Sequence, residues 1–303
     1  MMRTFLRHSQ DSLIRLGVLC VILLTVALVS QLEAGQERIK LERPVMMDSN
    51  GPGSELFVLD ASLRLHELRL MQNNLQQYGS VPLPNGFAPA DMTYASSAGQ
   101  ESLLIAGTES GLGVVVSYSL DGRPLKTWKF RNICSGIDFA PNTHSAYVAT
   151  SDSNEIYQLD LRGAEITYVT RIENASKLGP VAFDGARRRI YVADVASGRI
   201  YEYSAATKTS KVMVTGFSAP TALAFDPETN RLFIADPGRR GIFTVDTRST
   251  KPVAVELAPN SLKAPYGLAL ISENRLAVAD YGANAVLVFS LKGELLFRFP
   301  SPD

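Results

Sequence analysis

Apolar positions along this chain fall into short runs of about four to eight residues, bounded by Gly, Pro, Asn and Asp, which is a strand pattern and not a helical one. The clearest runs are LFVLD ending at Asp60, LLIAG at Gly107, AYVAT at Thr150, IYVAD at Asp194, LFIAD at Asp236 and LAVAD at Asp280, spaced 47, 43, 44, 42 and 44 residues apart. Two positions before each end stands a β-branched residue (Val58, Ile105, Val148, Val192, Ile234, Val278), and the next position is mostly alanine. Such a column predicts a strand buried on both faces. Ahead of it lies another apolar segment, ending at Tyr94, Phe139, Phe183, Phe225 and Leu270 in the last five units. In the first unit Arg38 to Met46 is expected to supply it, across a loop from Asp48 to Ser54. Beyond the anchor, Ile156, Ile200, Ile242 and Val286 open a third strand. After hairpin loops such as Leu120-Asp121-Gly122 a fourth follows, as in LKTWKF and ITYVT.

Each unit therefore reads as a four-stranded antiparallel meander of about 44 residues. Six units fill residues 36–303 and leave no room for a second domain. The last unit is as apolar as the middle ones, whereas an open solenoid would need polar capping repeats at its ends. The expected fold class is all-β: a six-bladed β-propeller of four-stranded antiparallel blades, preceded by one N-terminal apolar helix. How the ring closes is open by one strand.

That N-terminal element is Leu16 to Val29, fourteen residues without a charge, preceded by Arg3, Arg7 and Arg15 against a single Asp11. Basic residues before an apolar run hold the N-terminus in the cytoplasm, so residues 36–303 are expected outside, secreted, periplasmic or membrane-anchored. The run is short for a span, and no good small-x-small cleavage site follows, so signal peptide and retained anchor both stay open over residues 1–35. Cys134 is then the one thiol of the exported part, and stability must come from packing instead of disulfides.

Composition narrows the partners. Thirty Lys+Arg balance thirty Asp+Glu, with a pI near 6.9, so nothing draws the chain to nucleic acid. Apolar residues make up 46% of the chain, which excludes disorder.

The segments APTALAFDPETNRLFIADPGRRGIFTVD (Ala219 to Asp246) and APYGLAL...NRLAVADYGANAVLVFS (Ala264 to Ser290) resemble NHL-repeat six-bladed propellers and, at one remove, YWTD propellers. The resemblance covers all six units and is strongest in the last three. It implies a ring that displays loops to partners, with relatives that use the same ring as hydrolases and lyases. The chain is also distantly similar to the gluconolactonase-type propellers, in which asparagines at the starts of the innermost strands join a Glu and an Asp around calcium. Here Ala90, Ser135, Gly179, Thr221 and Tyr266 form that row, followed by Asp91, Gly136, Pro180, Ala222 and Gly267. The row has no Asn, and Glu42 is the one candidate for the Glu. Asp91 and Asp138 offer two oxygens against the six to eight that calcium prefers. A zinc site fares worse, because His8, His66 and His144 are scattered along the chain.

Asp60, Asp194, Asp236 and Asp280 recur where the anchor strand ends, with Gly107 and Thr150 in the other two units. A short acceptor there is expected to bond the backbone of the following turn. Arg187-Arg188-Arg189 and Arg239-Arg240 lie on turns, as solvated surface or as a site for an anionic partner. Tyr266 and Tyr281 fall near the pore mouth, as partner anchors or as core. The sequence thus points to non-catalytic binding of a protein, peptide or glycan at one loop face without a cofactor. The candidate positions are Asp91, Ser135, Asp138, Thr221, Tyr266, Arg239, Arg240 and Tyr281, and no catalytic residue is assigned. The alternative is a hydrolase with a divalent cation, calcium, in the pore, and the membrane is a partner if Leu16 to Val29 is retained.

Overall fold

In the computed structural model the described residues are 41–300, apart from 52, 53, 85, 142, 164 and 273. The expected helix around Leu16 to Val29 lies outside the described residues. Among the described residues no helix is long and apolar enough to cross a membrane.

Residues 41–300 build six four-stranded antiparallel sheets, each from four consecutive strands. These are the six blades. The innermost strands are Pro44–Ser49, Phe87–Ser97, Cys134–Ala140, Leu178–Asp184, Ala222–Asp226 and Pro265–Ile271, and they stand side by side around the axis. The second strands are Glu55–Asp60, Gln100–Glu109, Ser145–Thr150, Arg189–Asp194, Arg231–Asp236 and Arg275–Asp280. They are the six anchor runs of the sequence, and their central residues are almost completely buried. The fourth strands are mostly exposed, and that of blade five shrinks to Val255–Glu256.

Burial on both faces requires a neighbour on each side, and six apolar cores supply it, one between each pair of blades. In three of them an aromatic residue of the second strand meets an innermost-strand aromatic of the next blade. The pairs are Phe57–Tyr94, Tyr147–Phe183 and Tyr191–Phe225, with ring centroids 6.0, 4.8 and 5.6 Å apart. The sixth core closes the ring: Met47, Val58 and Leu68 of blade one pack against Ala269, Ala279 and Val286 of blade six. No strand is exchanged between the ends of the described chain, so closure rests on side-chain packing and a few hydrogen bonds such as Arg275 to the carbonyl of Gln72.

One expectation is corrected. The innermost strand of blade one is Pro44–Ser49 and not Arg38 to Met46, so Asp48, expected to open a loop, stands inside a strand. The apolar run there is only four residues long, and its two flanking polar residues hid its end.

Where innermost strands converge, small residues are obligatory. A Cβ on Gly136 would stand 2.1 Å from the carbonyl oxygen of Gly179 in the next blade, and one on Gly267 2.9 Å from that of Val45. We expect Gly136→Ala to cost roughly 1–3 kcal/mol in urea unfolding, as overpacking does. Gly185→Ala, whose Cβ would meet nothing nearer than 3.5 Å, should be neutral to stabilising.

Candidate functional site

Strand direction sorts the loops onto two faces. One, here the connector face, carries the turns between second and third strands and the connections from blade to blade; the hairpin face carries the remaining turns. Arg239 and Arg240 lie on the connector face and Arg187 and Arg188 on the other, so the two arginine clusters are not one patch.

The recurrent aspartates build the connector face. Asp194 accepts the main-chain N–H groups of Ala196 and Ser197 in the turn that follows it, and also those of Ser176 and Lys177 in the incoming connection, at 2.7 to 3.2 Å. Asp236 does the same with Arg239, Ser218 and Ala219, and Asp280 with Ala283, Lys263 and Ala264. Asp60 bonds Ser62, Arg64 and Glu42, and its Oδ2 also meets buried His66 Nε2 at 2.8 Å. Each carboxylate thus clamps two segments where the sequence reading expected one. In blade three the work is divided: Thr150 holds Glu155 N while Asp152 holds the incoming Ile133 N. In blade two a Cβ at Gly107 would lie 2.2 Å from the carbonyl oxygen of Ala88, so no side chain fits.

The innermost strands surround a cavity of about 1020 Å³ to which all six blades contribute. In the row at mid-strand its polar groups lie on the side of blades one to three. In strand register, Asp48, Thr93 and Asp138 of blades one to three occupy one row, and Ala182, Ala224 and Ala269 occupy it in blades four to six. Asp91 stands two residues before Thr93. Each of these carboxylates takes an N–H from the next blade: Asp48 from Tyr94 at 2.7 Å, Asp91 from Ile137 at 3.0 Å and Asp138 from Phe183 at 2.7 Å. Thr221 donates across the seam from blade five to six, to the carbonyl of Tyr266 at 2.9 Å, and Ser49 bonds Leu270 across the closing seam.

Desolvation dominates the electrostatics of this side. Burial pushes Asp48 up to about 6. Asp91 rises to about 7, by burial and then the Asp48 charge. Asp138 is held well above the carboxylate range by burial and then by the charges of Asp48 and Asp91. Asp60 and Asp194 go the other way: burial opposes it, but their several hydrogen bonds together hold them below the usual value.

Among the sequence candidates, Asp91, Asp138, Thr221 and Tyr266 line the cavity. Ser135 turns back into its own blade, donating to the carbonyl of Ala149. Tyr266 and Tyr281 meet at a ring distance of 5.2 Å. Arg43 covers the Tyr281 ring at 5.3 Å and donates to its hydroxyl. Lys263, in the connection entering blade six, packs against Gly282 in the turn after the second strand of that blade. Arg239 lies over Phe243 at 4.1 Å, and Arg240 is exposed. Sequence reasoning missed Asp48 and Thr93 because the relevant row lies two residues beyond the one it aligned. It missed Arg43 because the partners of that residue are 238 to 241 positions away. Glu42, the carboxylate considered for a cation, is exposed and away from the cavity. Cys134 is buried, and burial pushes its thiol up to about 12, so it is no nucleophile.

No protein-family model matches this chain, and no curated protein matches it in sequence. Its fold is shared with solved structures. The chain is similar to a nidogen/laminin complex structure (14% identity, TM-score 0.65, covering 82% of this chain and 93% of that one). It is also similar to a virginiamycin B lyase from Staphylococcus aureus (14%, 0.60, 88% and 86%) and a putative 6-phosphogluconolactonase from Bacteroides uniformis (14%, 0.57, 82% and 82%). At such identities the likeness establishes the fold, a six-bladed β-propeller of the architecture that the NHL-like repeats implied.

Removing a clamp leaves buried N–H groups unsatisfied. Asp280→Ala should cost about 3 kcal/mol or more by chemical unfolding, against about 0.5 kcal/mol or less for Asp246→Ala on an exposed turn. Because Asp60 and Asp194 have lowered pKa values, their stabilisation is present above about pH 4 and is lost as pH falls through that range. An acid titration of the thermal midpoint should show this loss, and its acid limb should shrink in Asp194→Ala.

Proposed function

We propose that this propeller is a non-catalytic binding module, carried to the outer side of a membrane by Leu16 to Val29. It engages an acidic protein or peptide segment through the connector face where blades five, six and one meet. One observation carries this reading: the carboxylates of the pore are turned to main-chain N–H groups of neighbouring blades, while the cations of the connector face are open to solvent. Arg43, Lys263, Arg239 and Arg240 are exposed there, beside half-buried Tyr266 and Tyr281. Guanidinium groups fork carboxylates, and a half-buried tyrosine pair offers a rigid apolar anchor with a polar rim. The similarity to a propeller solved within a nidogen/laminin complex supports protein binding in general terms.

The competing reading is a pore hydrolase with a divalent cation. Asp48, Asp91 and Asp138 approach it in number, but each already gives a lone pair to an N–H across a seam, which leaves fewer for a cation. The two readings separate in two measurements on the full chain. The thermal midpoint should be the same with calcium and with excess chelator, because a ligand bound only to the native state at a hundredfold excess would add about 2.7 kcal/mol. A rise of several degrees with calcium would favour the hydrolase. In fluorescence anisotropy, an oligo-glutamate peptide should bind with an affinity that falls as salt rises, an oligo-lysine peptide should not, and Arg43→Glu should weaken the first roughly tenfold. Equal binding of both peptides, or of neither, would overturn the acidic-partner reading.

A further inference from the structure

Thr93 stands between two carboxylates. Its Oγ1 lies 3.0 Å from Asp48 Oδ2, 3.3 Å from Asp138 Oδ1 and, longest, 3.4 Å from the main-chain carbonyl oxygen of Tyr94, and it also accepts the N–H of Phe139 at 3.3 Å. A hydroxyl has one proton to donate. With both carboxylates ionised, one would receive that proton and the other would face oxygen lone pairs across a hydrogen-bond distance. The surroundings decide which is which. Asp48 is an acceptor on both oxygens, from Ser49 N on Oδ1 and from Tyr94 N on Oδ2. Asp138 Oδ2 takes Phe183 N, and its Oδ1 is turned to Thr93.

We propose that Asp138 is a neutral carboxylic acid whose Oδ1–H donates to Thr93 Oγ1, and that Thr93 donates onward to an ionised Asp48. One retained proton thereby joins blades one, two and three around the pore. The direction of the bonds satisfies every atom: Thr93 Oγ1 accepts from Asp138 and Phe139 and gives to Asp48.

The charged and titratable neighbours agree with this assignment. Asp91 adds negative charge from blade two, and Tyr94 lies beside it. Across the cavity the ionisable groups are Asp226, Glu228, Tyr266 and Arg275 of blades five and six. The innermost strand of blade four ends on Asp184, which is paired with Arg187, and His144, in the first turn of blade three, bonds Ser97. Asp226 caps Glu228 and Thr229, while Arg275 donates to Gln72 and lies over Phe297. Among the described residues no Lys, Arg or His forms an ion pair with Asp48, Asp91 or Asp138. A proton on Asp138 therefore removes one of three neighbouring negative charges that no cation offsets.

The sign of the pH dependence follows. All three carboxylates have raised pKa values, so above about pH 4 the folded chain holds protons that the unfolded chain has lost. This contribution is full below about pH 4. It is lost as pH rises through about 6 for Asp48, about 7 for Asp91 and the raised titration of Asp138.

The test is the thermal midpoint of the full chain between about pH 5 and about pH 9, in wild type, Asp138→Asn and Asp48→Asn. The asparagine at 138 carries a permanent N–H for Thr93 and keeps a carbonyl oxygen for Phe183. Asp138→Asn should raise the alkaline midpoint by several degrees and flatten its decline with pH. Asp48→Asn, which loses an acceptor, should lower the midpoint throughout. A fall in the midpoint of Asp138→Asn with an unchanged pH slope would overturn the proposal. A second readout needs no variant to fold: with aspartate labelled at its side-chain carbonyl, wild type at about pH 8.5, above the Asp91 titration, should retain a protonated-carboxyl infrared band. Absence of that band would equally sink the idea, as would a calcium-induced rise in the midpoint of wild type that Asp138→Asn abolishes.

Discussion

A blade of this protein has a second strand that is apolar on both faces, and it exists as a folded object only while a neighbour covers each side. Everything else depends on that constraint. It dictates a ring instead of a stack, because a stack would leave the outer faces of two such strands in water. It also dictates that the sixth core, where Met47, Val58 and Leu68 meet Ala269, Ala279 and Val286, be as dry as the other five. Since no strand crosses from one end of the described chain to the other, the closing seam has no main-chain ladder to hold it. Packing, Arg43, Ser49 and Arg275 do that work.

Buried carboxylates serve this ring in two ways that differ in their electrostatics. The aspartates at the ends of second strands are isolated from one another and surrounded by N–H donors, and at Asp60 and Asp194 the donors outweigh desolvation. The aspartates of the pore have fewer donors apiece and lie close to each other, so desolvation and mutual repulsion win. Residue type alone does not separate the two sets. The number of N–H groups and the distance to the next negative charge do. Stability is therefore opposed from two directions, by loss of clamps as pH falls into acid and by charging of the pore as pH rises through about 6 to about 7 and beyond.

For function, the consequence is a division between inside and outside. At the axis, Asp48, Asp91, Asp138 and Thr221 join neighbouring blades by hydrogen bonds across the seams. The connector face carries exposed cations instead. Its loops are fixed in shape by the aspartate clamps, so exposed side chains such as Arg43 and Arg240 are displayed from a rigid frame.

Much of this was legible in the linear pattern. The period of about 44 residues, the β-branched column and the Asp at its end determine the number of blades, their four strands and the clamps, because each is a local matter of strand burial and turn geometry. The pore was less legible. Thr93 and Asp138 are ordinary strand residues in sequence, and Asp48 stands where the first repeat is weakest, so no local signal marks the three as neighbours. Arg43 and Tyr281 are nearly a whole chain apart and touch only because the ring closes. Sequence by itself determined the repeat and therefore the architecture. Only the tertiary structure decided which rows face the axis and which residues meet across seams, because such meetings depend on a register of whole blades that no single blade encodes.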